Sequence, residues 1–434
     1  MTPSLRGLGL FALVATLLLG TAVLQGWNSA LLILNMGLVS ALMAMGLNLQ
    51  WGYAGLLNVG VMGFVALGGL AVVLTAMPPV GAAWQAGGAR IVAALAFGAA
   101  TVAGAMVLWG RMTPGRARAL AVFGVLAVGF IVYRMLFDPA RDAIEAVNPA
   151  ATGYLGGAGL PVVLAWPVGG ILAAGAAWLI GKAALGLRAD YLAIATLGIS
   201  EIVLAVLKNE EWLSRGIKNV VGLPRPVPNE VDLQSDPDFV ARAAEIGLDP
   251  VNASTLYVKV EYSLMFAAVV IAMLVLAQLA LNSPWGRMMR AIRDNETAAA
   301  AMGKNVKKRH LQIFVLGAAL CGIAGAMMTT LDGQLVPSGY QPLRYTFLIW
   351  VMVIVGGSGN NFGAVLGGML VWFLWVQVEP FGQWLLATVT APMPDGSALK
   401  DHLLDGAAHM RLFTMGLILL IVLRFSPRGL LPER

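Results

Sequence analysis

The sequence predicts an all-α polytopic membrane protein, and three observations carry that prediction. Hydrophobic residues make up 59% of the 434 and charged residues only 12%, about half of the ~25% usual in soluble domains. Several apolar runs reach the ~20 residues that a helix needs to cross a bilayer. Glycine occurs 52 times, above its ~7% average share. Small residues let helix backbones approach closely in lipid, where packing must replace the hydrophobic effect.

In chain order, spans are predicted near 8–26, 29–50, 53–77, 90–110, 119–137, 161–181, 190–207, 262–281, 310–331, 345–378 and 410–424. The first, within "MTPSLRGLGLFALVATLLLGTAVLQGW", has the Arg6 and "GTA" of a signal peptide. Its apolar run is longer than an h-region and another span follows at once, so it reads as an uncleaved membrane helix. The stretch 345–378 is too long for one span, and its "GGSGNNFG" interrupts a helix; two pieces around a break are expected, giving about 10–12 membrane segments.

Short loops rich in Lys and Arg stay in the cytoplasm. Here these are Arg111, Arg116 and Arg118; Lys182 and Arg188; the stretch 283–310; and the tail with Arg424, Arg428 and Arg434. Alternating the spans from a cytoplasmic N-terminus puts all of them on one side, with the C-terminus there too. The polar loop 208–261 then faces outward. It carries six Lys/Arg, but long loops obey the charge rule weakly. Its Pro, Asp and Asn content makes it loop-rich, with a short helix expected near Phe239 to Ile246.

Several functions are disfavoured. There is no G-x-x-x-x-G-K-[ST] phosphate loop with which to hydrolyse ATP. His310, His402 and His409 are scattered and Cys321 is the single cysteine, so no metal cluster, intrachain disulfide or catalytic constellation can be assembled; Cys321 reads as a small packing residue. Cytoplasmic anchoring explains the formal charge of +6 better than nucleic-acid binding does. No separate soluble domain is expected, and no cofactor in this chain.

The stretch "SPWGRMMRAIRDNETAAAAMGKNVKKRH", Ser283 to His310, crowds seven Lys/Arg between two spans. Ser283 is a good N-cap with Pro284 in the first helical position, and Gly303 a good stop. Trp285, Met288, Met289, Ile292 and Ala299 share one side, while Arg287, Arg290, Arg293 and Asp294 lie mostly elsewhere. Arg290 and Asp294 are spaced to pair at i,i+4. The Ala run after Glu296 favours helix continuation. Two readings follow from the residues: a basic amphipathic helix on anionic headgroups, or a docking element for a cytoplasmic partner, which the interleaved Asp294, Glu296 and alanines suit.

The stretch "GRMMRAIRDNETAAAAMGKNVKKRHLQIFVLGAALCGIAGAM" resembles the matching loop and helix of ABC importer permeases of the high-affinity branched-chain amino acid type, the LivM-type subunit. "GLNLQWGYAGLLNVGVMGFVALGG" (Gly46 to Gly69), "LRADYLAIATLGISEIV" (Leu187 to Val203), "VIVGGSGNNFGAVLGG" (Val353 to Gly368) and the tail "RFSPRGLLPER" are similar to that family in the same order. The resemblance implies a type II importer-like bundle with two halves of inverted topology, forming one permease domain over 1–434. It implies that 282–309 is the coupling segment, with Arg290, Arg293, Asp294, Glu296, Ala299 and Gly303 as its contact surface. It further implies a homologous second permease subunit, two cytoplasmic ATP-binding subunits that hold the ATP, an external solute-binding protein, and a bacterial inner membrane. Two departures stand out. The region 78–160 adds a pair of spans that shorter relatives lack. After Glu201, "SRGIKNVVGLPRP" replaces a "TGGPNGI"-like stretch.

Glu201 lies eleven residues beyond Asp190, about 16 Å along a helix and well into the bilayer. A carboxylate there costs a few kcal/mol or more, so it faces a cavity or another helix, or is a structural group paired with a neighbouring subunit. One such residue does not make a proton relay. The Gly/Asn-rich breaks around Gly52 to Gly69 and Gly356 to Gly368 are candidates for a midplane path with Asn58, Asn360 and Asn361 as amide contacts; the alternative is that these glycines serve helix packing. The function expected is an importer permease for branched-chain or other apolar amino acids. The alternatives are a permease of the same type for urea, short amides or another small solute, and an ion-coupled secondary transporter. A membrane enzyme lacks its catalytic groups.

Overall fold

The structure, a computed structural model, describes residues 5–394 and 397–433; Arg434, one of the basic tail residues, lies outside them. The principal helices are α1 (Leu5–Gln25), α2 (Trp27–Gln50), α3 (Val61–Ala76), α4 (Gly81–Arg111), α5 (Arg116–Glu145), α6 (Val162–Ala184), α7 (Ala189–Asn209), α8 (Pro250–Asn282), α9 (Pro284–Asp294), α10 (Glu296–Ala301), α11 (Val306–Asp332), α12 (Pro342–Gly356), α13 (Asn361–Thr390), α14 (Ala398–Asp405) and α15 (Met410–Phe425). Among the described residues nine helices are long and apolar enough to cross a membrane, and α3 and α12 are shorter apolar helices. The protein is an all-α polytopic membrane protein.

Two long, largely buried helices, α2 and α11, run through the middle of the bundle. Each is followed by a short irregular stretch and then a short apolar helix. α2 (24 residues) leads through 51–60 to α3 (16 residues), and α11 (27 residues) leads through 333–341 to α12 (15 residues). The first break lies at the end that also holds α9, because Arg293 reaches Gly52 there. The second lies at the opposite end, where Leu335 pairs antiparallel with Val220 of the long loop. The halves are therefore inverted, and they are exchanged. α11 packs on α3 and α6 of the first half, while α2 packs on α12 and α13 of the second. The breaks at 51–60 and 357–360 lie at the same end, so the inverted counterpart of 51–60 is 333–341 rather than the Gly356 region.

Close approach of the central helices depends on small residues. A Cβ built on Gly46 of α2 would sit 2.6 Å from both the Gly317 carbonyl oxygen and Cys321 Sγ of α11, which only a bare glycine permits. Cys321 itself is buried, with Sγ 3.9 Å from the Met43 carbonyl. Near the centre Gly68, Gly169 and Gly322 bring α3, α6 and α11 into backbone contact.

Several boundaries differ from the sequence expectation for identifiable reasons. The span expected over 53–77 begins only at Val61. Residues 51–60 fold into a turn with Gly55 at φ +70, and its apolar Leu56 and Leu57 hid the break from a hydropathy reading. α8 starts at Pro250, earlier than 262, because Asp249 caps it by accepting from Val251 N (3.2 Å) and Pro250 takes the first position. α13 runs on to Thr390, beyond 378, with Pro380 inside it; α12 and α13 are the two pieces expected around a break. The short loop helix expected near Phe239 forms over Pro237–Glu245.

The pair α4 and α5 sits between α3 and α6, whereas α12 and α13 are joined directly through 357–360, so it has no counterpart in the second half. It packs on itself and is mostly outward-facing. It leans on the bundle through a small separate core that includes Ile91, Phe137, Ile144 and, from the 146–161 stretch and the long loop, Leu155 and Trp212.

Candidate functional site

The 283–303 segment is built as two helices rather than one. Ser283 Oγ accepts from Trp285 N at 3.2 Å and Pro284 opens α9. Met289 and Ile292 are fully buried on one face, and Trp285 Nε1 donates to Gln312 Oε1 of α11 at 3.2 Å. At Asn295 (φ −155) the helix stops, and the Asn295 side chain caps α10 by accepting from Ala298 N at 2.9 Å. Gly303, at φ +78, ends α10. The local reason is that Asn prefers a cap to a helix interior.

The contact residues expected here separate by direction. Asp294, Glu296 and Gly303 are exposed, together with Thr297, Ala298, Ala300 and Met302; Ala299 is half-buried among them. Arg293 turns inward. Its Nη1 donates to the Gly52 carbonyl (2.5 Å) and to Glu433 Oε2 (2.8 Å), and its Nη2 to Asp294 Oδ1 (3.1 Å). Burial pulls the Arg293 pKa down, but the Glu433 and Asp294 carboxylates outweigh it and hold the guanidinium above its ordinary value. The expected Arg290–Asp294 pair does not form, because Asp294 is taken by its neighbour Arg293. Arg290 faces the α8 end, 3.5 Å from the Leu281 carbonyl.

Around Arg293 both breaks of this end converge with the C-terminal tail. Leu430 N and Leu431 N donate to the Val355 and Gly356 carbonyls at the end of α12 (2.8 and 2.9 Å). Asn360 caps α13, accepting from Phe362 N at 3.0 Å, and donates through Nδ2 to the Pro432 carbonyl at 3.2 Å. Asn48, on α2, accepts from Gly359 N (2.9 Å) and donates to Asn361 Oδ1 (3.1 Å). Gly357 and Gly359 have φ +118 and +76, which let the 357–360 turn fit against the tail.

Asn58 belongs to a neighbouring buried network. Its amide donates to Gln50 Oε1 (2.7 Å) and accepts from Gly60 N (2.9 Å), and its carbonyl accepts from Trp350 Nε1 (3.0 Å). Gln50 donates in turn to the Phe314 carbonyl at 2.8 Å. Backbone released from helix geometry at membrane depth needs such internal partners, and Asn58 supplies them. Asn361 is also buried, with its Nδ2 lacking a protein partner. Asn48, Gln50 and Glu433 were missed by the sequence reading, which had Gly52 only as the start of a break. The available signal was "GLNLQW", two amides in an otherwise apolar span, which membrane helices rarely carry without a purpose.

Glu201 is exposed on α7. Another face of that helix carries buried Thr196, Ser200 and Leu204; Thr196 Oγ1 accepts from Val59 N at 3.1 Å. The structure therefore brings Arg293, Asn360 and Asn361 together and leaves Glu201 apart from them. In the half of the bundle facing the long loop, a cavity of about 390 Å³ lies among α2, α3, α11, α12 and α13, walled by Met43, Met62, Met328 and Leu348 with Asp332 and Tyr340 at its polar side.

Comparison with known proteins gives this arrangement a family. A probable branched-chain amino acid transport permease protein, LivM, of Methanocaldococcus jannaschii is 26% identical over 341 residues, covering 74% of this chain and 86% of that relative. The LivM permease protein of the high-affinity branched-chain amino acid transport system of Escherichia coli K12 is 29% identical over 234 residues, about half (53%) of each chain. A ribose import permease protein, RbsC, of Haemophilus influenzae is 25% identical over 263 residues, 59% of this chain and 74% of the relative. No solved structure matches. All three relatives are transport permeases rather than enzymes. The family model described as branched-chain amino acid transport system / permease component matches residues 149–423, more than half of the chain, and the protein belongs to that family.

Proposed function

We propose that this permease is the membrane subunit of an ATP-driven importer that moves branched-chain amino acids inward across a bacterial inner membrane. Its basic end, with both described termini, faces the cytoplasm, as short Lys/Arg-rich loops require. A solute-binding protein delivers to the long-loop end, a homologous second permease completes the pore, and two ATPase subunits bind and hydrolyse the ATP. The surface of exposed Asp294, Glu296, Ala298 and Met302 with half-buried Ala299, ending at Gly303, is the ATPase contact.

The observation that carries this reading is the Arg293 network. A chain that needs an outside motor needs a stiff link from the motor's seat to the pore. Arg293 ties α9 to the 51–60 break through Gly52 and to the tail through Glu433. The tail is bonded to the 357–360 break. Force applied at the α9–α10 corner thus reaches both breaks of the cytoplasmic end. The exposed Glu201 face of α7 is then the side for the second permease, since a carboxylate facing lipid is too costly to retain. The apolar, methionine-rich cavity suits an apolar solute held weakly.

The test is uptake into proteoliposomes containing this chain with its partner permease, ATPases and binding protein. Leucine, isoleucine or valine uptake is expected with ATP and is expected to collapse with a non-hydrolysable analogue. Uptake by this chain alone under an imposed ion gradient would contradict the proposal. The likeness to a ribose permease favours sugar as the second reading, so ribose and xylose belong in the same assay.

A further inference from the structure

At the basic end a second cavity, of about 470 Å³, lies between α1 and α8. Leu38 of α2 and Val365 of α13 form its floor, and Phe11 of α1 with Val270 and Leu274 of α8 its walls. Its polar side chains are Gln278 and Asn282 near the end of α8, Arg290 of α9, Tyr53 of the 51–60 break and Asn360, whose amide is already engaged by Phe362 N and the Pro432 carbonyl. Ala267 to Asn282, which bound it along α8, span about 22 Å at 1.5 Å per residue. One leaflet of hydrocarbon is about 15 Å deep, half of the ~30 Å core. The slot is therefore long enough to run from the aqueous rim through a whole leaflet.

The charge at the rim sets the occupant. Arg293 is satisfied by Glu433 and Asp294. Arg290, on the same helix, has no carboxylate within ion-pair distance among the described residues; its nearest acceptor is the Leu281 carbonyl at 3.5 Å. Two exposed arginines neighbour lining residues and add positive charge: Arg6 precedes Gly7 in the chain, and Arg287 donates to the Asn282 carbonyl at 3.4 Å. An unpaired guanidinium with two neutral amides beside it, above a dry slot, matches a phosphate group with an acyl chain beneath it.

We infer that the α1–α8 slot is a binding site for an anionic phospholipid, its acyl chain along α8 and its phosphate on Arg290 with Gln278 and Asn282. This goes beyond the import function and does not depend on which solute is carried. A lipid here packs against the wall formed by α8 and touches the base of α9, so it stiffens the seat of the coupling segment.

Native mass spectrometry of the purified full chain, after exchange into detergent with phosphatidylglycerol or with phosphatidylcholine of the same chains, tests it. Phosphatidylglycerol is expected to be retained about five-fold better, the factor given by ~1 kcal/mol per basic residue near a lipid surface. Arg290→Gln is expected to abolish that preference and Arg290→Lys to keep it. Leu274→Trp, which fills the slot and leaves the rim intact, is expected to lower retention of both lipids. Inorganic phosphate, which carries the headgroup chemistry without a chain, is expected neither to bind nor to displace the lipid. Equal retention of the two lipids, Arg290→Gln behaving as wild type, unchanged retention in Leu274→Trp, or displacement by inorganic phosphate would each overturn the inference.

Discussion

Arg293 is a fastener, and its role depends on partners remote in sequence. It joins Gly52 and Glu433, the second lying 140 positions away, so no pattern local to the 283–310 stretch could show that it points inward while Glu296 points out. A hydrogen bond to a charged group contributes about 1.5–3 kcal/mol. Arg293→Ala is therefore expected to lower ATP-driven uptake about ten-fold while ATPase co-purification and membrane yield stay at wild-type levels, read by uptake and pull-down on one preparation. Arg293→Lys, which cannot bridge both acceptors with a planar fork, is expected to fall between them. Loss of co-purification in Arg293→Ala would place the residue on the docking surface instead. Glu201 was legible as an unusual membrane carboxylate, but its direction was not, because helix periodicity on a largely apolar helix does not tell lipid from protein. Glu201→Leu is expected to leave this chain's insertion and thermal stability unchanged, since no partner among the described residues is lost, and to weaken co-purification of the second permease. A drop in melting temperature of the isolated chain would instead assign Glu201 a partner within its own fold.

Among the elements, existence was easier to read than extent. Long apolar runs announced the crossing helices, and Ser283–Pro284 announced the start of α9. The delayed start of α3 and the stop at Asn295 were hidden because both depend on side chains bonding nearby backbone rather than on composition: Asn58 accepts from Gly60 N in the turn before α3, and Asn295 caps α10. The Gly/Asn-rich breaks raised two alternatives, pore or packing; within the first, a Cβ on Gly68 would clash with the Gly322 carbonyl of α11, a packing contact, and Gly46, just before that break, is packed on α11 in the same way. Overpacking a tight contact costs about 1–3 kcal/mol, so Gly46→Leu is expected to lower the melting temperature and the yield, whereas Gly104→Leu, on the open face of α4 with nothing near a new Cβ, is expected to be neutral. Similar losses in both would show that α2 and α11 are not in backbone contact. The α4–α5 pair can be tested by excision. Pro79 bridges Gly156, and Val80 N donates to the Leu155 carbonyl at 3.0 Å, so joining Val80 to Leu155 through a short glycine linker leaves the bundle's path intact. The spliced chain is expected to insert with a lowered yield, its main losses being the cover over Trp212 and the buried ring of Tyr154 from the main core, each worth about 1.5–3 kcal/mol. Failure to insert would make the pair part of the core fold.

At the scale of the whole molecule, two inverted and exchanged halves place the 51–60 break at one end of the bundle and its counterpart, 333–341, at the other, and only the basic end carries the α9–α10 corner. The alternating-span count anticipated that end from charge alone, since the loops holding Arg116, Arg188 and Arg293 and the tail holding Arg428 were read independently and agreed. What composition could not supply was the linkage: that corner, tail and both breaks of one end form a single bonded unit. The proposed function rests on that asymmetry: it assigns solute delivery to the long-loop end and motor force to the other. ATP hydrolysis and leucine uptake measured together in one proteoliposome preparation, with Glu296→Lys plus Met302→Glu on the exposed corner, test this most directly. Both substitutions lie on the exposed surface and leave the Arg293 contacts untouched, so the expected result is a correctly inserted chain that neither retains the ATPases nor takes up leucine. Wild-type uptake and wild-type ATPase retention in that variant would contradict a motor seated on the α9–α10 corner.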